Sequence, residues 1–114
     1  MDVYFQTKRL ADLCNDGRKL TRKYGKRVAE TTEARLQQLE AVRSLEELRA
    51  LPGRWHELSA NLAGMWAADV AGKRDRLRLI VREESRTDTD NAGQDNDPAA
   101  LVVALSDHYD DLGR

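Results

Sequence analysis

The stretch RWHELSANLAGMWAADVAG (Arg54–Gly72) limits the possible folds of this chain more than any other part of the sequence. Its first six residues, RWHELS, are predicted to form a short strand. Its last eight residues, MWAADVAG, are predicted to form a second strand that closes at Gly72. Two strands this close in the chain indicate antiparallel pairing, because antiparallel neighbours need only a short connection.

The residues that follow continue this pattern. DRLRLIVRE (75–83) alternates Leu77, Leu79 and Val81 with arginines at 76, 78 and 82, which predicts a strand with one face in water. AALVVALS (99–106) is apolar throughout and is predicted to be the last strand. The segment between them, 85–98, is rich in Asp, Asn, Gly and Thr, which predicts a long flexible loop.

The residues before this stretch have the periodicity of helices. DVYFQ (2–6) is short, aromatic and β-branched, and is predicted to be an opening strand. Three predicted helices follow: the first is capped by Thr7, the second stops at Gly25, and the third runs from Lys26 to about Arg43. SLEE (44–47) has the pattern of a capping box for a short helix, which LPG (51–53) ends. A strand, then helices, then a meander predicts an α+β fold with helices on one face of an antiparallel sheet.

Length and composition limit the kind of protein. The 114 residues fit one domain, 1–114, and leave no room for a second lobe around a large cofactor, while the 40% hydrophobic content suffices for one core. No apolar run approaches the roughly 20 residues of a membrane span, and the N-terminus does not resemble a secretory signal. The single cysteine, Cys14, cannot form an internal disulfide. We therefore expect a cytoplasmic protein without a cofactor or membrane association.

The charge is unevenly distributed along the chain. Residues 1–27 contain eight basic and three acidic side chains, a local charge of +5, which leaves −6 for the rest of a chain whose net charge is −1. A basic end favours contact with a polyanion or an acidic partner. A solvated helix surface explains the same pattern equally well.

Several short motifs occur in an order that resembles the HigB-like toxins of the RelE/ParE toxin–antitoxin superfamily. They are the H-x-L that begins at His56, the N-x-x-G-x-W-x-x-D-x-x-G of 61–72, the RLIV of 78–81 and the DHY of 107–109. LCNDGRKLTRKYGKR (13–27) is similar to the helical start of these toxins. The resemblance extends from Val3 to about Asp111 and implies the α+β RelE/ParE-like toxin fold.

The resemblance also implies a function and a set of partners. It implies the toxin of a type II toxin–antitoxin system that inhibits growth as a ribosome-dependent mRNA endoribonuclease. A cognate antitoxin, expected to be a helix-turn-helix protein, would neutralise it. Operator DNA would be bound only through the complex. No His, Cys or Asp spacing indicates a metal site, and no glycine-rich phosphate loop follows a strand.

Particular residues acquire candidate roles from the resemblance. Metal-free RNA cleavage needs a base for the 2′-hydroxyl proton, an acid for the 5′-oxygen and a cation for the phosphate. Histidine titrates near neutral pH and suits either proton role, and arginine binds phosphate with a planar fork. The candidate catalytic residues are His56, Arg78, Asp107, His108 and Tyr109, and the candidate RNA-binding residues are Arg76, Trp66 and Lys73.

Each of these assignments has a structural alternative. His56 also fits a packing residue beside Trp55, Trp66 fits the core better than a surface for base stacking, and the arginines fit a solvated sheet face. DHYDD fits a frayed polar terminus.

The sequence also departs from the toxin pattern. LSANLAG (58–64) has Ser59, Leu62 and Ala63 where the toxins commonly have basic residues. This departure favours an alternative in which a non-catalytic or gyrase-directed protein of the same fold acts by protein binding. The retained His56, Arg78 and DHY motif favour the nuclease, which we take as the first hypothesis. A third hypothesis is that the basic N-terminal helices bind nucleic acid directly.

Overall fold

The computed structural model describes residues 1–70, 77–86 and 97–106. The described elements are, in chain order, β1 (Asp2–Phe5), α1 (Lys8–Cys14), α2 (Gly17–Tyr24), α3 (Lys26–Ala41), a 3₁₀ helix (Leu45–Ala50), β2 (His56–Glu57), a second 3₁₀ helix (Ala60–Leu62), β3 (Met65–Asp69), β4 (Arg78–Arg86) and β5 (Asp97–Ser106). The predicted α+β class and the predicted order of elements are confirmed.

The helices begin and end close to where the sequence predicts. Thr7 Oγ1 accepts a hydrogen bond from the Leu10 amide at 3.1 Å and caps α1. Asp16 Oδ1 caps α2 by accepting from the Arg18 amide at 2.9 Å. The predicted capping box differs in detail: Glu47 Oε2 accepts from the Arg43 amide at 2.8 Å, while the Ser44 side chain makes no cap bond.

The five described strands form one sheet in the order β1-β5-β4-β3-β2. β2, β3, β4 and β5 pair antiparallel, as a meander does, whereas β1 pairs with β5 in parallel. The three helices and the rest of the meander separate β1 from β5 in sequence. The parallel pair therefore joins the first and last described strands.

The main core lies between the sheet and α3 with the first 3₁₀ helix. α3 and the segment after it contribute Leu39, Val42, Leu45 and Leu48, which are all buried. The sheet contributes side chains from alternate positions that face the helices, namely Trp66, Ala68, Leu79, Val81, Ala100 and Val102. This periodicity of two is what packs the helices onto one face.

The strands differ from the sequence prediction at their ends. β2 contains only His56 and Glu57 instead of 54–59, because Arg54 has a left-handed backbone with φ +57° that ends the extended chain. β4 and β5 extend two residues into each end of the segment predicted as a loop, where Ser85 pairs with Pro98 and Arg86 with Asp97. Residues 87–96 lie outside the described residues, so their flexibility stays a prediction.

Thr32 in α3 is fully buried, and its hydroxyl has no hydrogen-bond partner among the described residues. Burying an unpaired hydroxyl costs about 1–3 kcal/mol, and valine has nearly the same shape without the polar atom. We expect Thr32→Val to raise the free energy of unfolding by about 1 kcal/mol, as measured by urea titration. Thr32→Ala is the control that leaves a cavity, and an increase in both variants, or a decrease in Thr32→Val, would contradict this reading.

Cys14, at the end of α1, is 4% exposed, and burial raises the pKa of its thiol from 9.0 to about 11. Between these two pH values the unfolded chain loses a proton that the folded protein keeps, so stability falls as the pH rises. One pKa unit corresponds to about 1.4 kcal/mol, so we expect a loss of about 2–3 kcal/mol across this window and none from this thiol below it.

Urea unfolding of the wild type and of Cys14→Ala across the same pH range tests this prediction. The wild type should lose stability more steeply than the variant, since the variant has no thiol to titrate. Parallel pH curves for the two proteins would contradict the prediction.

Candidate functional site

The face of the sheet that points away from the helices carries a group of polar side chains. Directly opposed residues share a face, and the register pairs His56 with Ala67, Asp69 with Arg78, and Met65 with Arg82. We call this surface the far face and define its polar members as His56, Asp69, Arg78 and Arg82. Its centre is apolar, because Ala67 and Ile80 lie opposite each other there and are buried.

An ion pair at the ends of β3 and β4 holds the Arg78 side chain. Arg78 Nε lies 2.7 Å from Asp69 Oδ1, and Arg78 Nη1 donates to the Leu77 carbonyl at 3.2 Å. Both charged side chains are only about one-fifth exposed, at 22% and 21%. Partial shielding from water makes this pair stronger than an ordinary surface ion pair.

His56 is exposed on β2, and one of its ring nitrogens has a defined partner. Nδ1 lies 2.8 Å from the backbone carbonyl oxygen of Arg54. A carbonyl oxygen only accepts, so Nδ1 must carry the hydrogen. In the neutral ring, Nε2 is then the nitrogen with the free lone pair, and it is accessible because the side chain is exposed.

The turn before His56 is tied to α3 through Arg35. Arg35 Nε donates to the Asp69 carbonyl at 3.1 Å, and its Nη1 donates to the Pro52 carbonyl at 3.0 Å. The Asp69 amide donates to the Gly53 carbonyl at 2.9 Å, which closes the link. Burial lowers the pKa of the Arg35 guanidinium, and the Asp69 carboxylate opposes this shift. We call this set, Arg35, Pro52, Gly53 and Asp69, the Arg35 clasp.

The backbone next to the clasp turns sharply. Gly53 has φ +119°, and Arg54 next to it has φ +57°. Trp55 then turns inward, where its Nε1 donates to Gln38 Oε1 at 2.9 Å. The chain therefore leaves the turn with Trp55 in the core and His56 on the far face.

The sheet geometry sets the separation between His56 and Arg78. They lie on strands two apart in the sheet and are displaced by two residues along it. With strand spacing and rise per residue of ordinary sheets, their Cα atoms are about 12 Å apart. At this separation the two groups do not contact each other directly, and the positions between them, Ala67 and Ile80, are buried.

The structure decides the position of some predicted site residues and leaves others open. His56 and Arg78 share the far face, whereas Trp66 is 5% exposed in the core beneath the Arg49 guanidinium, at 4.6 Å from ring centroid to Cζ. This placement agrees with the packing role that the sequence favoured for Trp66. Outside the described residues lie Asp107, His108, Tyr109, Arg76 and Lys73.

The end of β5 lies beside the start of β4. Ser106, the last described residue, lies opposite Arg78. Asp107, the first residue of the DHY motif, lies outside the described residues.

Sequence reasoning missed Asp69 and Arg54 as members of the site. Asp69 alternates with Met65 and Ala67 along β3, so the sequence pattern could have predicted which face of the sheet it lies on. Its pairing with Arg78, however, depends on the register of the strands. Arg54 Nε lies 3.7 Å from Asp69 Oδ2, which no spacing in the sequence indicates.

The rest of the described surface, in residues 1–70, 77–86 and 97–106, offers few other candidate sites. No group of three or more His, Cys, Asp or Glu residues there is placed to hold a metal ion. Nor does any helix in those ranges have the length and apolar character to cross a bilayer. A groove between α1 and α2 is lined by Lys8, Arg9, Lys19 and Lys23 with Asp12 and Leu13, and it is the surface on which the third hypothesis depends.

Comparison with known proteins identifies the fold. No family model and no curated protein matches the sequence. The structure is similar to a YoeB/ParE toxin from Agrobacterium tumefaciens, with 13% identity and a TM-score of 0.57 over 96% of this chain and 100% of that chain. It is also similar to a YoeB dimer from Staphylococcus aureus, with 16% identity and a TM-score of 0.58 over 96% and 98%. The chain therefore has the fold of the YoeB/ParE toxins, which confirms the predicted fold.

Proposed function

We propose that the chain is a HigB-like toxin of a type II toxin–antitoxin pair and acts as a metal-independent endoribonuclease on mRNA at the ribosome. The observation that carries the proposal is the far face. It presents a histidine whose Nδ1 is occupied and an arginine whose guanidinium is held in place. The likeness of the fold to YoeB/ParE toxins over nearly the whole chain supports it.

The first step assigned to this site is proton removal. His56 Nε2 takes the proton of the ribose 2′-hydroxyl, and the 2′-oxygen forms a bond to the adjacent phosphorus. A placed base of this kind contributes roughly 10²–10⁴-fold to the rate. The phosphate gains negative charge in the transition state, and the remaining N–H groups of Arg78 bind its oxygens.

The second step breaks the bond from phosphorus to the 5′-oxygen. That oxygen takes a proton, which we assign to the motif of Asp107, His108 and Tyr109. The products are a 2′,3′-cyclic phosphate and a 5′-hydroxyl, so the reaction as proposed consumes no metal or cofactor. For RNA backbone contacts we assign Arg76 and Lys73, while Trp66 would need to leave the core before it could stack on a base.

The partners follow from the same assignment. A cognate antitoxin, expected to be a helix-turn-helix protein, covers the toxin, and operator DNA is bound only by the complex. The ribosome supplies the mRNA, and the site of action is the cytoplasm.

One feature of the surface favours the alternative, a non-catalytic or gyrase-directed protein. Ser59 and Ala63 are exposed and uncharged, so the turn before β3 offers RNA no cation at these positions. Leu62, the third residue of this turn that departs from the toxin pattern, does not support the alternative in the same way. It is 5% exposed, so it serves the core.

Inducible expression with genome-wide mapping of RNA 5′ ends separates these functions. The nuclease predicts growth arrest with new 5′-hydroxyl ends inside translated mRNA, absent in a His56→Ala control. Arrest with intact mRNA and an induced DNA-damage response would support the gyrase-directed alternative. No arrest in the absence of an antitoxin would contradict the nuclease and the gyrase-directed protein, and would support a non-catalytic protein of the same fold.

A further inference from the structure

Asp69 joins four parts of the site by four contacts. Its carboxylate contacts Arg78 through Oδ1 and Arg54 through Oδ2. Its backbone amide donates to the Gly53 carbonyl, and its backbone carbonyl accepts from Arg35. One acidic residue therefore connects β3, β4, α3 and the turn before His56.

The contact with Arg78 determines which edge of the guanidinium is free. Nε is bound by Asp69, and Nη1 is bound by the Leu77 carbonyl. Nη2 has no hydrogen-bond partner in the described part of the chain. A guanidinium held at two nitrogens has lost most of its rotational freedom, so its remaining donors can bind a phosphate with little further entropy cost.

The contact with Arg54 extends this control to the histidine. The Arg54 carbonyl accepts from His56 Nδ1, and the same residue's guanidinium reaches the Asp69 carboxylate. The 3.7 Å ion pair of the exposed Arg54 side chain is weak on its own. Together with the Gly53 hydrogen bond, it links Asp69 to the turn that precedes His56.

We propose that Asp69 is the positioning residue of this site. Its carboxylate orients Arg78 for an RNA phosphate and supports the turn that presents His56, without touching the substrate itself. The inference rests on the proposed nuclease function, although its effect on Arg78 is measurable without any RNA cleavage.

Asp69→Asn is the informative variant, because it removes the charge while keeping the size and both backbone hydrogen bonds. We expect kcat for cleavage of ribosome-bound mRNA to fall about ten- to a hundredfold, with KM changing less than about threefold. Asp69→Asn added to Arg78→Ala should cost little further, because the carboxylate acts chiefly through Arg78 and its ion pair with the exposed Arg54 is weak. A purely structural role would instead give losses that add, and equal or higher kcat in Asp69→Asn would overturn the proposal.

NMR of the Arg78 Nε–H group gives a readout that does not depend on the enzymatic activity. In Asp69→Asn this signal should shift and exchange faster with water, and its response to added inorganic phosphate should weaken. Glu84→Gln, which removes an exposed carboxylate six positions along β4 from Arg78, is the matched control and should leave the signal unchanged. If the wild type cleaves no RNA, the nuclease proposal fails while this measurement still decides the role of Asp69. An unchanged Arg78 signal in Asp69→Asn would refute that role.

Discussion

Replacing His56 by alanine is expected to lower the rate of mRNA cleavage about 10²–10⁴-fold, with little change in stability. The cleavage rate falls because the base at Nε2 is lost. The stability changes little because the side chain is exposed on a two-residue strand. Single-turnover cleavage of ribosome-bound mRNA measures the first quantity, and urea unfolding measures the second.

His56→Asn separates chemistry from structure at the same position. An asparagine amide can still donate to the Arg54 carbonyl as Nδ1 does, but it has no basic nitrogen. Asparagine should therefore be as inactive as alanine. Glu57→Gln, at the next residue of β2, is the control variant and should retain cleavage activity. Restored cleavage in His56→Asn would show that His56 only supports the turn.

Gly53→Ala is expected to cause the largest loss of stability, about 3–5 kcal/mol. A Cβ at this position would lie 2.6 Å from Arg35 Nε and 2.7 Å from its Cζ, on a backbone with φ +119°. The Arg35 guanidinium would have to move and release the Asp69 and Pro52 carbonyls. The free energy of unfolding from urea titration tests this directly.

Gly64→Ala is the matched control, because Gly64 also has a positive φ, +92°, but a Cβ there meets nothing within 4 Å. It should cost only the backbone strain, about 1–2 kcal/mol. The difference between the two variants measures the Arg35 clasp. Equal losses would show that Arg35 moves aside without cost and that the clasp contributes little to stability.

The far face shows how much of the site was predictable. The alternation of β4 placed Arg78 on a water-facing side, and the resemblance to HigB-like toxins singled out His56. Asp69 entered the sequence analysis only as part of a motif, because an acidic residue on a strand has many possible partners. Its role became visible when the register placed it opposite Arg78.

The α+β class, the order of helices and strands, and most boundaries of the helices follow from the sequence alone. These features depend on periodicity and capping among residues within a few positions of each other, such as Thr7 and Leu10. Three features appear only in the folded protein: the parallel pairing of β1 with β5, the left-handed backbone at Arg54 and the contacts of Asp69. Those depend on residues far apart in the chain, since Arg35 and Asp69 are 34 positions apart and meet only because α3 packs beside the end of β3.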